Sequence, residues 1–80
     1  MNNQVNYKKL GQLIRLCRRA RILSQAELAK QADIPLSHVG HIERGGRKVS
    51  LETFVRLAMA LDISPSSLLY DVMMLDHPEC

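Results

Sequence analysis

The sequence predicts an all-α fold of five short helices in one domain, and three observations predict it. Strand signals are sparse: β-branched residues do not gather in runs, and Tyr7, Phe54 and Tyr70 are the only aromatic residues among 80. A hydrophobic–cap–hydrophobic signature of a helix start recurs five times along the chain. Between those starts the apolar residues return every three or four positions, the period of an amphipathic helix.

The five starts are Val5/Leu10 around Asn6, Leu23/Leu28 around Ser24, Ile34/Val39 around Pro35, Val49/Phe54 around Ser50 and Ile63/Leu68 around Ser64. Ser24 with Glu27 makes a capping box, and Pro65 sits where a first-turn proline is tolerated. Pro35 has no side-chain acceptor to offer, so the third start is the weakest. In the first helix Leu10, Leu13, Ile14 and Cys17 share one face. The second helix runs over about 25–32 and the third over about 36–44. In the fourth, Leu51, Phe54, Val55, Ala58 and Leu61 form the apolar side. In the fifth, Leu68, Leu69 and Val72 face the core, while Tyr70, Met73 and Met74 make a second apolar patch. One domain, 1–80, follows, with an ordered core of about 6–75 and loose ends at 1–5 and 76–80.

Composition sets the setting. Apolar residues make up 46% of the chain, as in globular proteins. No long uncharged apolar run or signal-peptide pattern appears, so the expectation is a cytoplasmic protein without a membrane partner. Cys17 is expected as a core thiol and Cys80 as an exposed terminal one. Charge is unevenly placed. All 11 Lys and Arg lie in residues 1–56 against four acids, a net +7, whereas residues 57–80 carry four acids and no base, a net −4. A basic body with an acidic end suggests that the body meets a polyanion.

The second and third helices are joined by the brief "ADIP" and must cross steeply, as in a helix-turn-helix. Projecting the third helix at about 100° per residue puts Val39 and Ile42 on one side and Ser37, Gly40, His41 and Arg44 on the other. Glu43 falls near the apolar sector. A short, polar and basic side of this kind suits a DNA major groove, where base edges are read by hydrogen bonds. Gly40 then has two readings. Loss of its Cβ lets DNA approach the backbone, or it relieves a clash with the second helix.

"LSQAELAKQADIPLSHVGHIERGGRKVSLETFVRLAMALDISPSSLL", with "LGQLIRLCRRARI" before it, resembles the phage repressor and Cro-like helix-turn-helix regulators over about residues 10–69. "SQAELA", "HIERG" and "SLETFVRLAMAL" at these spacings carry the resemblance together. It implies a compact five-helix, lambda-repressor-like DNA-binding domain whose helix-turn-helix is made by helices two and three. It also implies a set of roles. His41, Ser37 and Leu36 match base-reading positions, with Gly40 on the same face. Leu36 either meets a thymine methyl or simply packs. Gln25, at the start of helix two, matches a phosphate donor. Arg44, Gly46, Arg47 and Lys48 match a basic phosphate-binding loop. His38, on the flank, is either a backbone contact or solvated. Arg18 and Glu43 match a structural ion pair. Two positions depart from the pattern: Asp33 stands where the turn usually has glycine, and Ile22 replaces the glycine that often ends helix one.

Catalysis and metal binding are not expected. His38 with His41, and His77 with Cys80, offer pairs rather than the three or four ligands of a zinc site. No nucleophile arrangement, phosphate-cradling loop or paired carboxylate stands out, and no cofactor is implied. The patch of Tyr70, Met73 and Met74 suggests a homodimer, with methionine as adaptable filler. The expectation is a regulator of transcription bound to double-stranded DNA at a roughly palindromic operator. The rival is a helical interaction module, such as an antitoxin, whose main partner is a protein (a toxin or co-regulator).

Overall fold

The computed structural model describes residues 5–74, which form α1 (Tyr7–Ala20), α2 (Gln25–Ala32), α3 (Leu36–Glu43), α4 (Leu51–Ala60) and α5 (Pro65–Met74). No strand occurs among the described residues. Residues 1–4 and 75–80 lie outside them, and so do His77 and Cys80.

Each helix start uses the chemistry its sequence supplies. The Asn6 side chain accepts a hydrogen bond from the Lys9 backbone N–H, and Ser50 accepts from that of Thr53. Ser24 and Glu27 close a reciprocal capping box, at 3.0 Å and 2.9 Å. The Ser24 backbone N–H and then its hydroxyl hold the Glu27 carboxyl below the ordinary carboxylate range. α3 has no side-chain cap, as Pro35 requires. Its position therefore rests on what packs around it.

The helix ends share one device. Ile22, Asp33, Gly45 and Asp62 adopt left-handed backbone at φ of 57°, 56°, 73° and 56°. At each, two backbone bonds reach back to the closing turn, for instance Ile22 to Arg19 and Leu23 to Arg18, or Asp33 to Lys30 and Ile34 to Ala29. The residue after three of these turns is apolar: Leu23, Ile34 and Ile63. Those same residues precede the next helix and pack against the core. One side chain thus closes one helix and opens another, which keeps the connections short. Ile22 is the costly case. A β-branched residue in this region is strained by about 1–2 kcal/mol, and at 89% exposure its side chain recovers almost nothing by burial.

The core gathers Leu10, Leu13, Ile14 and Cys17 from α1, Leu28 from α2, Val39 and Ile42 from α3, Leu57, Ala58 and Leu61 from α4 and its end, and Leu68 and Val72 from α5. Two expectations need correction. The buried side of α4 is centred on Leu57, Ala58 and Leu61, while Leu51 and Val55 are exposed, because α4 packs against both α2 and α5. Leu69 is exposed and joins the outer patch of α5 instead of the core. Cys17 is buried, as expected.

α1 and α3 are held face to face. A Cβ at Gly11 would overlap the Ile42 carbonyl oxygen, so only glycine permits this approach. Beside it, Arg18 donates from Nε to Glu43 Oε2 at 2.6 Å and from Nη2 to Oε1 at 3.0 Å. Arg18 Nη1 also donates to the Leu23 carbonyl at 2.7 Å, tying the pair to the turn after α1. Both residues are buried. The hydrogen bond to Glu43 holds the Arg18 guanidinium above its ordinary pKa despite desolvation.

A buried carboxylate stripped of such a partner is destabilising by about 3–5 kcal/mol. Arg18→Ala is therefore expected to lower Tm by more than about 10 °C in a domain of this size, read by thermal circular dichroism. A melting temperature unchanged from the native chain contradicts the structural role of the pair.

Candidate nucleic-acid interface

α3 divides along its length as its periodicity requires. Val39 and Ile42 are 0% and 2% exposed and anchor it from behind. Leu36, Ser37 and His41 face outward and are exposed. Leu36, at 51% exposure, is available for an apolar contact and is not a packing residue. The outward side thus combines a hydroxyl, an imidazole and an apolar tip, groups that meet base edges by hydrogen bonding or methyl contact.

Gly40 lies on this side but is not open to solvent. The three atoms nearest a Cβ built there all belong to the Arg44 guanidinium, at 3.2, 3.7 and 3.8 Å. No atom of α2 is among them, so relief of a clash with α2 does not explain the glycine. Arg44 itself is exposed and makes no ion pair among the described residues. Its guanidinium folds back along α3 instead of reaching into the loop that follows.

The loop after α3 places Gly46, Arg47 and Lys48 in the open. His38 is half-buried and shares a small concavity with Arg47, Lys48, Ser50 and Thr53. Two cations, an imidazole and the start of α4 therefore converge on one spot. A helix N-terminus adds partial positive charge from its unpaired N–H groups. Such a concavity favours an anion. Sequence reasoning placed His38 on the flank and did not foresee its neighbours Ser50 and Thr53, which lie more than ten residues along the chain.

Gln25 begins α2 and is half-buried. Its Nε2 donates to Glu43 Oε1 at 3.1 Å, so the carboxylate that binds Arg18 also orients Gln25. An amide nitrogen carries two N–H groups, and this bond uses one. The bond was not legible in the sequence. Arg15 and Arg19 are exposed on α1 beside Gln12 and Leu16. Tyr70, Met73 and Met74 are exposed on α5 together with Leu69. Near them an apolar groove runs between Val5, Tyr7, Leu51, Phe54 and Leu69. Among the described residues no group of three or more His, Cys, Asp or Glu is placed to hold a metal ion, and no helix is long and apolar enough to cross a membrane.

Residues 14–68 match the helix-turn-helix family HTH_3. The control protein C.BamHI of Bacillus amyloliquefaciens is 37% identical over 60 residues, 74% of either chain. The restriction-modification controller protein C.AhdI of Aeromonas hydrophila is 47% identical, with a TM-score of 0.75 over 78% of this chain and 94% of that one. The biofilm regulator SinR, solved in complex with DNA, is 31% identical, with a TM-score of 0.71 over 75% of this chain and 97% of its own. The five helices have the lambda-repressor-like arrangement. With its helix-turn-helix formed by α2 and α3, this chain belongs to the HTH_3 family of Cro/repressor-type, DNA-binding transcriptional regulators.

Proposed function

We propose that this chain controls transcription, in the manner of a restriction–modification controller, by binding a specific, roughly palindromic DNA site as a homodimer. The observation that carries the reading is the orientation of α3: its polar side is outward while Val39 and Ile42 lock it from behind. In this reading Leu36, Ser37 and His41 meet base edges in the major groove. Gln25, His38, Gly46, Arg47 and Lys48 grip phosphates on either side and set the register. Direct charge contacts to phosphate release counterions, so affinity depends strongly on salt. The role is regulatory and not enzymatic, and the site of action is the cytoplasm, where DNA is available. The relatives named as controller proteins support the class of regulator, and SinR, solved with DNA, supports the ligand.

The dimer rests on α5. Leu69, Tyr70, Met73 and Met74 are 45–61% exposed and adjacent at helical spacing. A contiguous apolar face of this kind marks an interaction surface. A two-fold partner seated there presents two copies of α3, and half-sites one helical turn of DNA (about 34 Å) apart suit such a pair. In light scattering at micromolar concentration the native chain is expected as a dimer and Met73→Asp as a monomer. A native chain that is monomeric, or a variant that dimerises equally well, contradicts this interface.

Selection of bound duplexes from a random pool tests the function itself. The expected result is one recurrent site, bound with an affinity that falls steeply as salt is raised. His41→Ala is expected to cost about 1–3 kcal/mol and to relax preference at one base pair. Absence of binding to any duplex at low salt overturns the reading and favours a protein as the main partner. A loss that is uniform across sequences makes His41 a backbone contact.

A further inference from the structure

We propose that Arg44 reads guanine, and that Gly40 is the space its guanidinium needs to lie on the groove side of α3. The inference rests on the DNA-binding reading above and deepens it. Sequence resemblance puts Arg44 among the phosphate contacts, with Arg47 and Lys48. The geometry separates it from them. Arg44 follows α3 directly in helical backbone. Side chains on a helix lean toward its N-terminus, so Arg44 runs back one turn and lays Nη1 3.2 Å from the Cβ position of Gly40. The guanidinium thereby joins Ser37 and His41, the helical neighbours of Gly40 and Arg44 on the outward side.

Among the described residues nothing claims the side-chain donors of Arg44. Glu43, the adjacent acid, is engaged through both oxygens by Arg18 and again by Gln25. Arg44 makes no ion pair or side-chain hydrogen bond among the described residues. A planar fork of free N–H groups, held flat on a groove-facing helix, matches the O6 and N7 acceptors of guanine. Gly40 follows from the same geometry. A mid-helix glycine weakens a helix relative to alanine, and here α2 does not demand it. A methyl group at this position would press on the guanidinium at a separation tighter than ordinary contact and displace it by a few tenths of an ångström. Position 40 acts on specificity through Arg44, as a positioning residue.

The test measures Kd and its salt dependence for the selected duplex and for each of its single-base variants, with native chain, Arg44→Ala and Gly40→Ala. Thermal melting of each variant checks that it folds. The native chain is expected to prefer guanine at one position by about tenfold or more. Arg44→Ala should erase that preference and leave the others. Gly40→Ala should melt no lower than the native chain, keep its salt slope, and lose several-fold of the same preference. A loss with Arg44→Ala that is equal for all sequences, with a salt slope reduced by about 1, makes Arg44 a phosphate contact and overturns the proposal. Native discrimination in Gly40→Ala overturns the role of Gly40. If the native chain binds no duplex at all, the DNA reading fails and this inference with it. If it binds but Arg44 behaves as a phosphate contact, only the inference fails.

Discussion

The ion pair between Arg18 and Glu43 is the constraint on which the rest of the structure depends. Two charges removed from water are tolerable only where their donors and acceptors are met, and here they are met from four elements. Arg18 comes from α1, Glu43 from α3, the Leu23 carbonyl from the turn after α1, and the Gln25 amide from the start of α2. No buried side-chain polar atom among the described residues is left without a partner. An eight-residue helix with no side-chain cap and a glycine inside would be marginal alone. The pair fixes its C-terminal end, and the close contact at Gly11 brings α1 near enough for the pair to form. Through Gln25 the same network reaches the protein surface beside the proposed phosphate contacts, so stability and binding geometry share one anchor.

Division of labour along the chain follows from charge and exposure. Every Lys and Arg lies in residues 1–56, and Arg44, Arg47 and Lys48, at and after the end of α3, make no ion pair among the described residues. Two cations elsewhere, Arg18 and Arg56, hold the fold. Arg56 bonds the Asp33 carbonyl and Glu52, which ties α4 to the turn between α2 and α3. The surface of α5 is apolar instead, and the chain's acids are concentrated in the last third. The basic face proposed to meet DNA and the apolar face proposed to meet a second copy thus occupy different elements.

The helices were legible from two signals, side-chain caps at the starts of α1, α2 and α4 and, at three of the four junctions, an apolar residue that closes one helix and opens the next. Leu23, Ile34 and Ile63 show how strong that signal is: each was predicted as a staple, and each packs against the core. The outward face of α3 was legible for a similar reason, since Val39 and Ile42 alone give its rotation. What escaped the sequence depends on how helices meet. Periodicity assigns a stripe to α4 but not the angle at which α2 and α5 cover it, so Leu51 and Val55 were placed inside and Leu57 was missed. The small residue at Gly11 gives no periodic signal, yet it decides how near α1 lies to α3. The course of Arg44 over Gly40 and the bond from Gln25 to Glu43 are long-side-chain choices that spacing does not encode. Left-handed backbone at Ile22 ran against its propensity: tertiary closure of the turn outweighed a β-branched residue's preference.

The central claim is that the outward side of α3, and not another surface, meets DNA. Amide chemical-shift mapping of the isotope-labelled chain during addition of its selected duplex tests this most directly. The account predicts that the largest changes fall on Ser37, Gly40 and His41, followed by Gln25 and Gly46 to Lys48, with α5 little altered. Changes confined to α5 or to the apolar groove beside Leu51, with α3 undisturbed, would contradict it.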